Sequence, residues 1–389
     1  MEKHDDYFYN PQLEKRNKKG KRFKWITISA ASFSVFFLIF FLADIINKGT
    51  PAFTQSYVKV EVTFDENLKM NPYAAFTMDE MKIISRAWIR SLPNKIRQNP
   101  ELIGTTQNIF AIAAAEVDQY LKGHNNRLTD DMKVKIDKMV KQGKIQTEFS
   151  TKFFFTGDSK IPENAGFFSA IIGTLLTILV TMVIAVPIGI MTAIYLEEFA
   201  PDNKFTQFIE VNINNLAAIP SILFGLLGLA IFINFFGAPR SSPLVGGMTL
   251  ALMALPIIIV SSKAALKSVP ETIRQAGYGL GLTKWQITRD HVLPLALPGM
   301  LTGSIIALAQ AIGETAPLIL VGMIAFVPDA ATSIFEAATV MPAQIYTWSG
   351  MPEGMYVEKT AGGIIVLLSI LLFLNSIAIY FRKKYSKKW

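Results

Sequence analysis

Apolar residues along the chain fall into long uninterrupted runs, separated by one extended polar block and several short charged connections. Charge-free windows occupy Trp25–Ala43, Asn164–Leu196, Val211–Pro239, Ser241–Ser262 and Thr360–Phe381, and a further window, His291–Pro328, is broken by a single acid, Glu314. A helix that crosses a bilayer needs about 20 mostly apolar residues, because lipid cannot satisfy backbone hydrogen bonds. The pattern predicts six such spans, the longer windows including interfacial ends or tilted helices.

Residues 47–163 follow a different pattern, with mixed charge and no spanning run. Val58, Val60, Val62 and Phe64 alternate with polar residues, which predicts a strand. Thr77-Met-Asp-Glu80 has capping-box spacing, ahead of an amphipathic run through Ile83, Ile84, Ala87, Trp88 and Leu92 that should end near Pro93. Phe110–Leu121 and Thr129–Val140 read as two more helices. The expected organisation is a basic tail (1–24), a first transmembrane helix (25–46), an insert (47–163), a five-helix core (164–381) containing a charged loop at 263–294, and a second basic tail (382–389).

Composition agrees with lipid as solvent. The chain has 389 residues, 51% hydrophobic and 17% charged, against about 25% charged in ordinary soluble domains. With no cysteine, disulfides and thiolate metal sites are excluded, and three scattered histidines argue against a metal enzyme. The net charge of +8 does not mark a nucleic-acid surface, because the basic residues gather at the tails and the charged loop. Lys15, Arg16, Lys18, Lys19, Lys21, Arg22 and Lys24 precede the first span, and Arg382, Lys383, Lys384, Lys387 and Lys388 follow the last. Positive charge favours the cytoplasmic side. Both tails and the loop are therefore expected on the cytoplasmic side of the membrane, and the insert outside, where it serves as a spacer or partner-docking lobe. The first span lacks a convincing cleavage site after Ala43 and reads as an uncleaved anchor.

The loop runs Arg274-Gln-Ala-Gly-Tyr-Gly-Leu-Gly-Leu-Thr-Lys-Trp-Gln-Ile-Thr-Arg-Asp-His-Val-Leu-Pro294. It resembles the "EAA" coupling loop of ABC importer permeases. Gln275-Ala276-Gly277, Gly281 and His291-Val-Leu293-Pro294 keep the full spacing, with Gln275 in place of Glu, Gly277 in place of Ala and His291 in place of Ile. Tyr195-Leu-Glu-Glu-Phe-Ala-Pro201, Leu216-Ala-Ala-Ile-Pro-Ser-Ile-Leu-Phe-Gly-Leu-Leu-Gly-Leu229 and Gly313-Glu-Thr-Ala-Pro-Leu-Ile-Leu-Val-Gly322 extend the likeness. Together these segments resemble the PstA-type permease family of phosphate ABC importers over roughly residues 166–385. The first span and insert, from Phe53-Thr-Gln-Ser to Val62-Thr-Phe-Asp65, are similar to a longer form of that family.

The resemblance implies an all-α polytopic membrane protein with six transmembrane helices, a type I ABC importer core and a mainly helical insert with some β structure. It also implies a second PstC-like permease, two PstB-like ATPases and a PstS-like phosphate-binding protein as partners, alongside the lipid bilayer and with no nucleic acid. This chain would bind no cofactor, ATP and Mg being used by the partner ATPase. No GxxxxGK[ST] occurs, and Gly277-Tyr-Gly279-Leu-Gly281 fails as a dinucleotide fingerprint because Leu282 takes the third glycine's place.

In this reading Gln275, Ala276, Leu293 and Pro294 belong to the ATPase-coupling motif. Gly277 and Gly281 let the loop turn, Trp285 and Ile287 supply apolar contact, and Arg274, Lys284 and Arg289 supply charged rim contacts. Pro187, Pro220 and Pro256 lie within spans as potential bends. Gly225, Gly228, Gly299 and Gly303 allow close helix approach, the last pair at GxxxG spacing. Glu314 is the one acid inside a predicted span, and burying it there costs about 2.5–3.5 kcal/mol on insertion scales. In the family an Arg usually lies one turn before this Glu; here that position is Gln310. The candidate pathway is therefore Glu314 and Gln310 with the hydroxyls of Thr315, Thr302 and Ser221, and the missing cation is expected from the partner permease. The competing reading makes Glu314 a packing element between the two permeases. The alternatives for the whole chain are a permease for another oxyanion, sulfate or molybdate, and a membrane sensor with a ligand-binding insert.

Overall fold

In the computed structural model, which describes residues 11–324 and 326–385, the basic run from Lys15 to Lys24 is helical and continuous with the first apolar window, forming α1 (Pro11–Gly49). The outer parts of both expected tails, 1–10 and 386–389 with Lys387 and Lys388, lie outside the described residues. After Lys48 the chain divides into two compact units. In the first, the side chains of Phe33, Phe36 and Phe40 are exposed, as a lipid-facing helix requires.

The second unit opens with β1 (Thr54–Thr63), longer than the alternation predicted. Val58, Val60, Val62 and Phe64 point into a core, while Lys59, Glu61 and Thr63 face outward. The Thr77–Glu80 capping box forms, Thr77 N–H donating to Glu80 Oε2 at 2.8 Å and Glu80 N–H to Thr77 Oγ1 at 3.3 Å. It heads only a single turn, Glu80–Ile83, and Ser85 starts a new helix, α2 (Arg86–Gln98). That helix runs through Pro93 instead of ending there. Its amphipathic face, Trp88, Ile89, Leu92 and Ile96, is buried on the sheet, which outweighs the roughly 3 kcal/mol that an interior proline costs.

The expected helix Phe110–Leu121 is instead β2 (Thr106–Ile112) followed by α3 (Ala115–Leu121). β2 pairs antiparallel with β1, Val58 opposite Ala111, and this tertiary pairing overrides an alanine-rich local sequence. α4 (Asp130–Lys141) is as predicted, and β3 (Ile145–Phe149) completes a sheet of order β2-β1-β3.

The core begins with α5 (Phe168–Ile194), extended by a wider π turn, Tyr195–Phe199. The expected third span is not one helix. α6 (Lys204–Ala217) and α7 (Ser221–Leu227), the latter continued by a π segment to Phe235, meet at 107° around Pro220. Proline drives the residue before it out of the helical region, here Ile219. α8 (Pro243–Lys267) is continuous through Pro256. After the loop helices α9 (Glu271–Gly279) and α10 (Lys284–Ile287) comes α11 (Leu293–Gly313).

The window His291–Pro328 is also broken. α11 stops at Gly313, Glu314 is extended, and α12 (Ala316–Leu320) follows. Pro317 explains the stop, since its ring would clash with the carbonyl of Gly313 in a continuing helix. α13 (Met341–Ser349) and α14 (Gly354–Tyr385) complete the core. Among the described residues five helices are long and apolar enough to cross a membrane, six if the bent pair is one span.

Packing follows the small residues. A Cβ on Gly303 would lie 1.9 Å from Ser261 Oγ, and one on Gly299 would lie 2.7 Å from Ala265 Cβ, so the GxxxG stripe of α11 seats directly on α8. Similarly, Gly225 of α7 abuts Pro317, where a Cβ would meet its Cα at 2.7 Å. The insert is welded to the core. Trp348 Nε1 donates to Asp158 Oδ1 at 2.9 Å, Tyr356 OH donates to Ser159 O at 2.6 Å, and Phe167 stacks on Phe153 with centroids 5.8 Å apart.

Candidate functional site

The charged loop is a helical hairpin at the ends of α5, α8 and α11. α9 and α10 reverse direction at Gly281, whose φ of 75° is a left-handed conformation that glycine adopts without strain. Gly277 acts differently: it is buried, and a Cβ there would meet Ile287 Cγ1 at 2.6 Å, so its missing side chain lets the two helices close on each other. Thr283 and Gln286 form a capping box that starts α10, Thr283 N–H donating to Gln286 Oε1 at 2.8 Å.

Arg274 is not a rim residue. Its Nη2 stands 2.7 Å from Glu198 Oε1 and its Nε donates to Glu198 Oε2 at 3.3 Å, while Nη1 donates to Val269 O at 2.9 Å and Nη2 to Leu266 O at 3.1 Å. With every face of the guanidinium engaged, it fastens α9 to the π turn after α5 and to the end of α8. A second strut lies nearby, where Lys263 binds Glu210 and approaches Glu197 at 3.8 Å. Lys284 lies over the Phe199 ring at 5.8 Å, and Arg289 pairs with its neighbour Asp290 at 2.7 Å.

Ile287, expected at a contact surface, is buried in a core the loop shares with the ends of α5, α8 and α11, joined there by half-buried Leu293. Exposed are Gln275, Ala276, Lys284, Trp285 and Pro294. Tyr278 and Leu280, which sequence reasoning passed over, are exposed as well, Leu280 at 79% and Trp285 at 57%. An apolar knob thus flanks Gly281, beside a groove of about 720 Å³ lined by Val269, Pro270, Ile273, His291, Pro294 and Leu295. Glu198 was also missed as a site residue. Its signal was present in the acid pair Glu197-Glu198 closing a charge-free window.

The second cluster surrounds the break after α11. Glu314 and Thr315 are half-buried in the break, and Gln310 is exposed one turn earlier. Ser221 opens α7 one turn ahead of Gly225, the residue that packs on Pro317. Thr302 does not join them. It sits in α11 eleven residues before the helix ends at Gly313, about 16 Å from that end at 1.5 Å per residue. Its hydroxyl donates to Pro298 O at 2.7 Å and accepts from Arg382 at 3.2 Å. Among the described residues no cation pairs with Glu314.

Residues 185–387, from the second half of α5 to the C-terminal tail, match the family described as "Binding-protein-dependent transport system inner membrane component". The chain belongs to this family. It is a multi-pass membrane permease component and not itself the catalytic subunit of its transport system. Residues 10–87 and 77–131 match a "Domain of unknown function (DUF3333)".

Among relatives of this inner membrane component, the "Probable ABC transporter permease protein YqgI" of Bacillus subtilis (strain 168) is 28% identical over 58% of this chain and 81% of its own length. The "Phosphate transport system permease protein PstA 1" of Mycobacterium tuberculosis (strain ATCC 25618 / H37Rv) is 31% identical over 57% of this chain and 72% of its own. A PstA of Yersinia pestis is 31% identical over 59% and 78%. An inward-facing MetNI methionine ABC transporter chain aligns with a TM-score of 0.46 and 19% identity, covering 57% of this chain and 97% of that one.

Proposed function

We propose that this chain forms one half of the membrane pathway of an ATP-driven importer of inorganic phosphate. The observation that carries the substrate is the 31% identity to proteins named phosphate transport system permeases, over 57% and 59% of this chain. In this reading the knob of Tyr278, Leu280 and Trp285 seats in a cytoplasmic ATPase, and both tails lie on that side of the membrane. Two ATPase subunits supply ATP and Mg chemistry, and this chain holds no cofactor. ATP-driven closure of the ATPases pushes the hairpin, and the struts at Arg274 and Lys263 pass that force into α5 and α8.

A phosphate-binding protein delivers the anion from outside, and a second permease completes the channel. An unpaired carboxylate repels phosphate, so the second permease contributes a cation beside Glu314, while Thr315 and Ser221 offer neutral hydrogen bonds. Reconstitution with a companion permease, ATPase and binding protein in liposomes tests the reading through phosphate-dependent ATP turnover. Turnover stimulated by sulfate or molybdate, and not by phosphate, would overturn the substrate. In the same system Glu314→Gln should lower uptake with assembly intact; unchanged uptake would leave Glu314 a packing residue.

A further inference from the structure

The sheet of the insert has an open edge. β1 is flanked on one side by β2 along Tyr57–Thr63, but on the other by β3 only from Thr54 to Val58. Along a strand, main-chain N–H and C=O groups point alternately to the two sides. Lys59 N–H donates to Lys144 O at 2.7 Å, which fixes the odd-numbered residues as those facing β3. Beyond that bond no strand among the described residues lies on β3's side. The carbonyl of Lys59, both main-chain groups of Glu61 and the N–H of Thr63 therefore face a gap.

The gap is a groove of about 750 Å³ between the β1 edge, α4 and the turn Glu80–Ile83. Its charged lining is mostly cationic: Lys59, Lys135, Lys138 and Lys144 against Glu61 and Glu80. Glu80 is committed to Thr77 and Lys135 to Asp79 at 2.9 Å. Lys59, Lys138 and Lys144 have no ion pair among the described residues. Ile83, Ile84 and Met139 give the floor an apolar strip.

We propose that this groove is a docking site for an extended acidic segment of a partner protein, which adds as a short strand to β1 at Lys59–Thr63. Unpaired main-chain groups supply strand-to-strand hydrogen bonds, and side chains alternating along the peptide reach the apolar strip and the lysines in turn. Charge complementarity selects an acidic segment over a basic one. A free inorganic anion would use the lysines alone and leave the edge unpaired.

Binding of a fluorescein-labelled alternating Glu-Val peptide to the full chain in nanodiscs tests this. Saturable binding is expected, with an alternating Lys-Val peptide failing to compete. A Glu-Val peptide with proline at its centre should bind at least about tenfold more weakly. Glu61→Pro removes an edge N–H while sparing every β1–β2 hydrogen bond, and should weaken binding to a similar degree. Lys138→Glu with Lys144→Glu, both on the surface, provides the same test without touching the sheet. No binding, or equal binding of the proline peptide, overturns the proposal. Displacement by inorganic phosphate together with indifference to proline would make the groove a small-anion site instead.

Discussion

Lys122, at the end of α3, and Glu358, in the second turn of α14, are separated by 236 residues in sequence and meet at 2.6 Å. Lys122 also reaches Asp118 at 2.8 Å and the carbonyls of Pro51 and Thr54 at 2.8 and 2.9 Å, while Gln119 donates to Glu358. The pair is nearly solvent-free, with side chains 9% and 3% exposed. It ties the insert to the N-terminal part of the last core helix.

Removing one member of a buried ion pair strands the other and costs about 3–5 kcal/mol. Lys122→Met abandons Asp118 and Glu358 together and should destabilise at the upper end of that range. Glu358→Gln leaves Asp118 in place and should cost less. Thermal unfolding in detergent, with limited proteolysis of the insert as the local readout, checks the order. Equal melting temperatures for Lys122→Met and wild type would mean that the pair contributes no anchoring.

The apolar windows were legible because the requirement for backbone satisfaction in lipid leaves few alternatives, and the loop because glycine and proline spacing encodes its turns. What escaped the sequence depended on partners remote along the chain. Pairing with β1 draws Phe110–Ile112, the expected start of a helix, into the strand Thr106–Ile112. The role of Arg274 is set by Glu198, 76 residues away. Glu314 is placed by Pro317, three residues on, yet an apolar run around it masked the helix stop.

Arg274→Lys keeps the charge but cannot hold two oxygens of Glu198 and two carbonyls in one plane. It should uncouple the hairpin from α5, leaving ATP hydrolysis by the assembled importer but lowering phosphate uptake per ATP. Glu198→Gln should have a milder effect in the same direction. An unchanged ratio of uptake to hydrolysis in Arg274→Lys would exclude the strut from force transmission.

The two loop glycines predict opposite sensitivities to side-chain shape. At Gly281 the surroundings are open, so only the left-handed backbone resists substitution, at about 1–2 kcal/mol for alanine and more for valine. Asparagine, which tolerates that conformation, should be nearly neutral. At Gly277 the conformation is ordinary and the contact with Ile287 is limiting, so asparagine is worse than alanine. Pairing Gly277→Ala with Ile287→Val should recover part of the loss. Co-purification of the ATPase with each variant measures this, and a similar loss for Gly281→Asn and Gly277→Asn would refute the distinction.

Glu163 and Asp158 sit at the junction outside the membrane-spanning helices, and burial pushes both carboxyls above their usual range. For Glu163 desolvation is opposed by hydrogen bonding, including to Ser85, and by the charge of Lys359; for Asp158 it is opposed chiefly by the Trp348 N–H. The folded protein therefore retains protons that the unfolded chain has released, and stability falls as pH rises between the ordinary carboxyl range and the raised values. Above that window both groups are ionised and the desolvation cost is paid in full. Glu163→Gln with Asp158→Asn removes the ionisation while keeping acceptors for Ser85 and Trp348. The double variant should melt above wild type above that window, and the gap should narrow as pH falls through it and close in the ordinary carboxyl range, about pH 4. A gap that widens on acidification would show that the native charges at this junction are net stabilising.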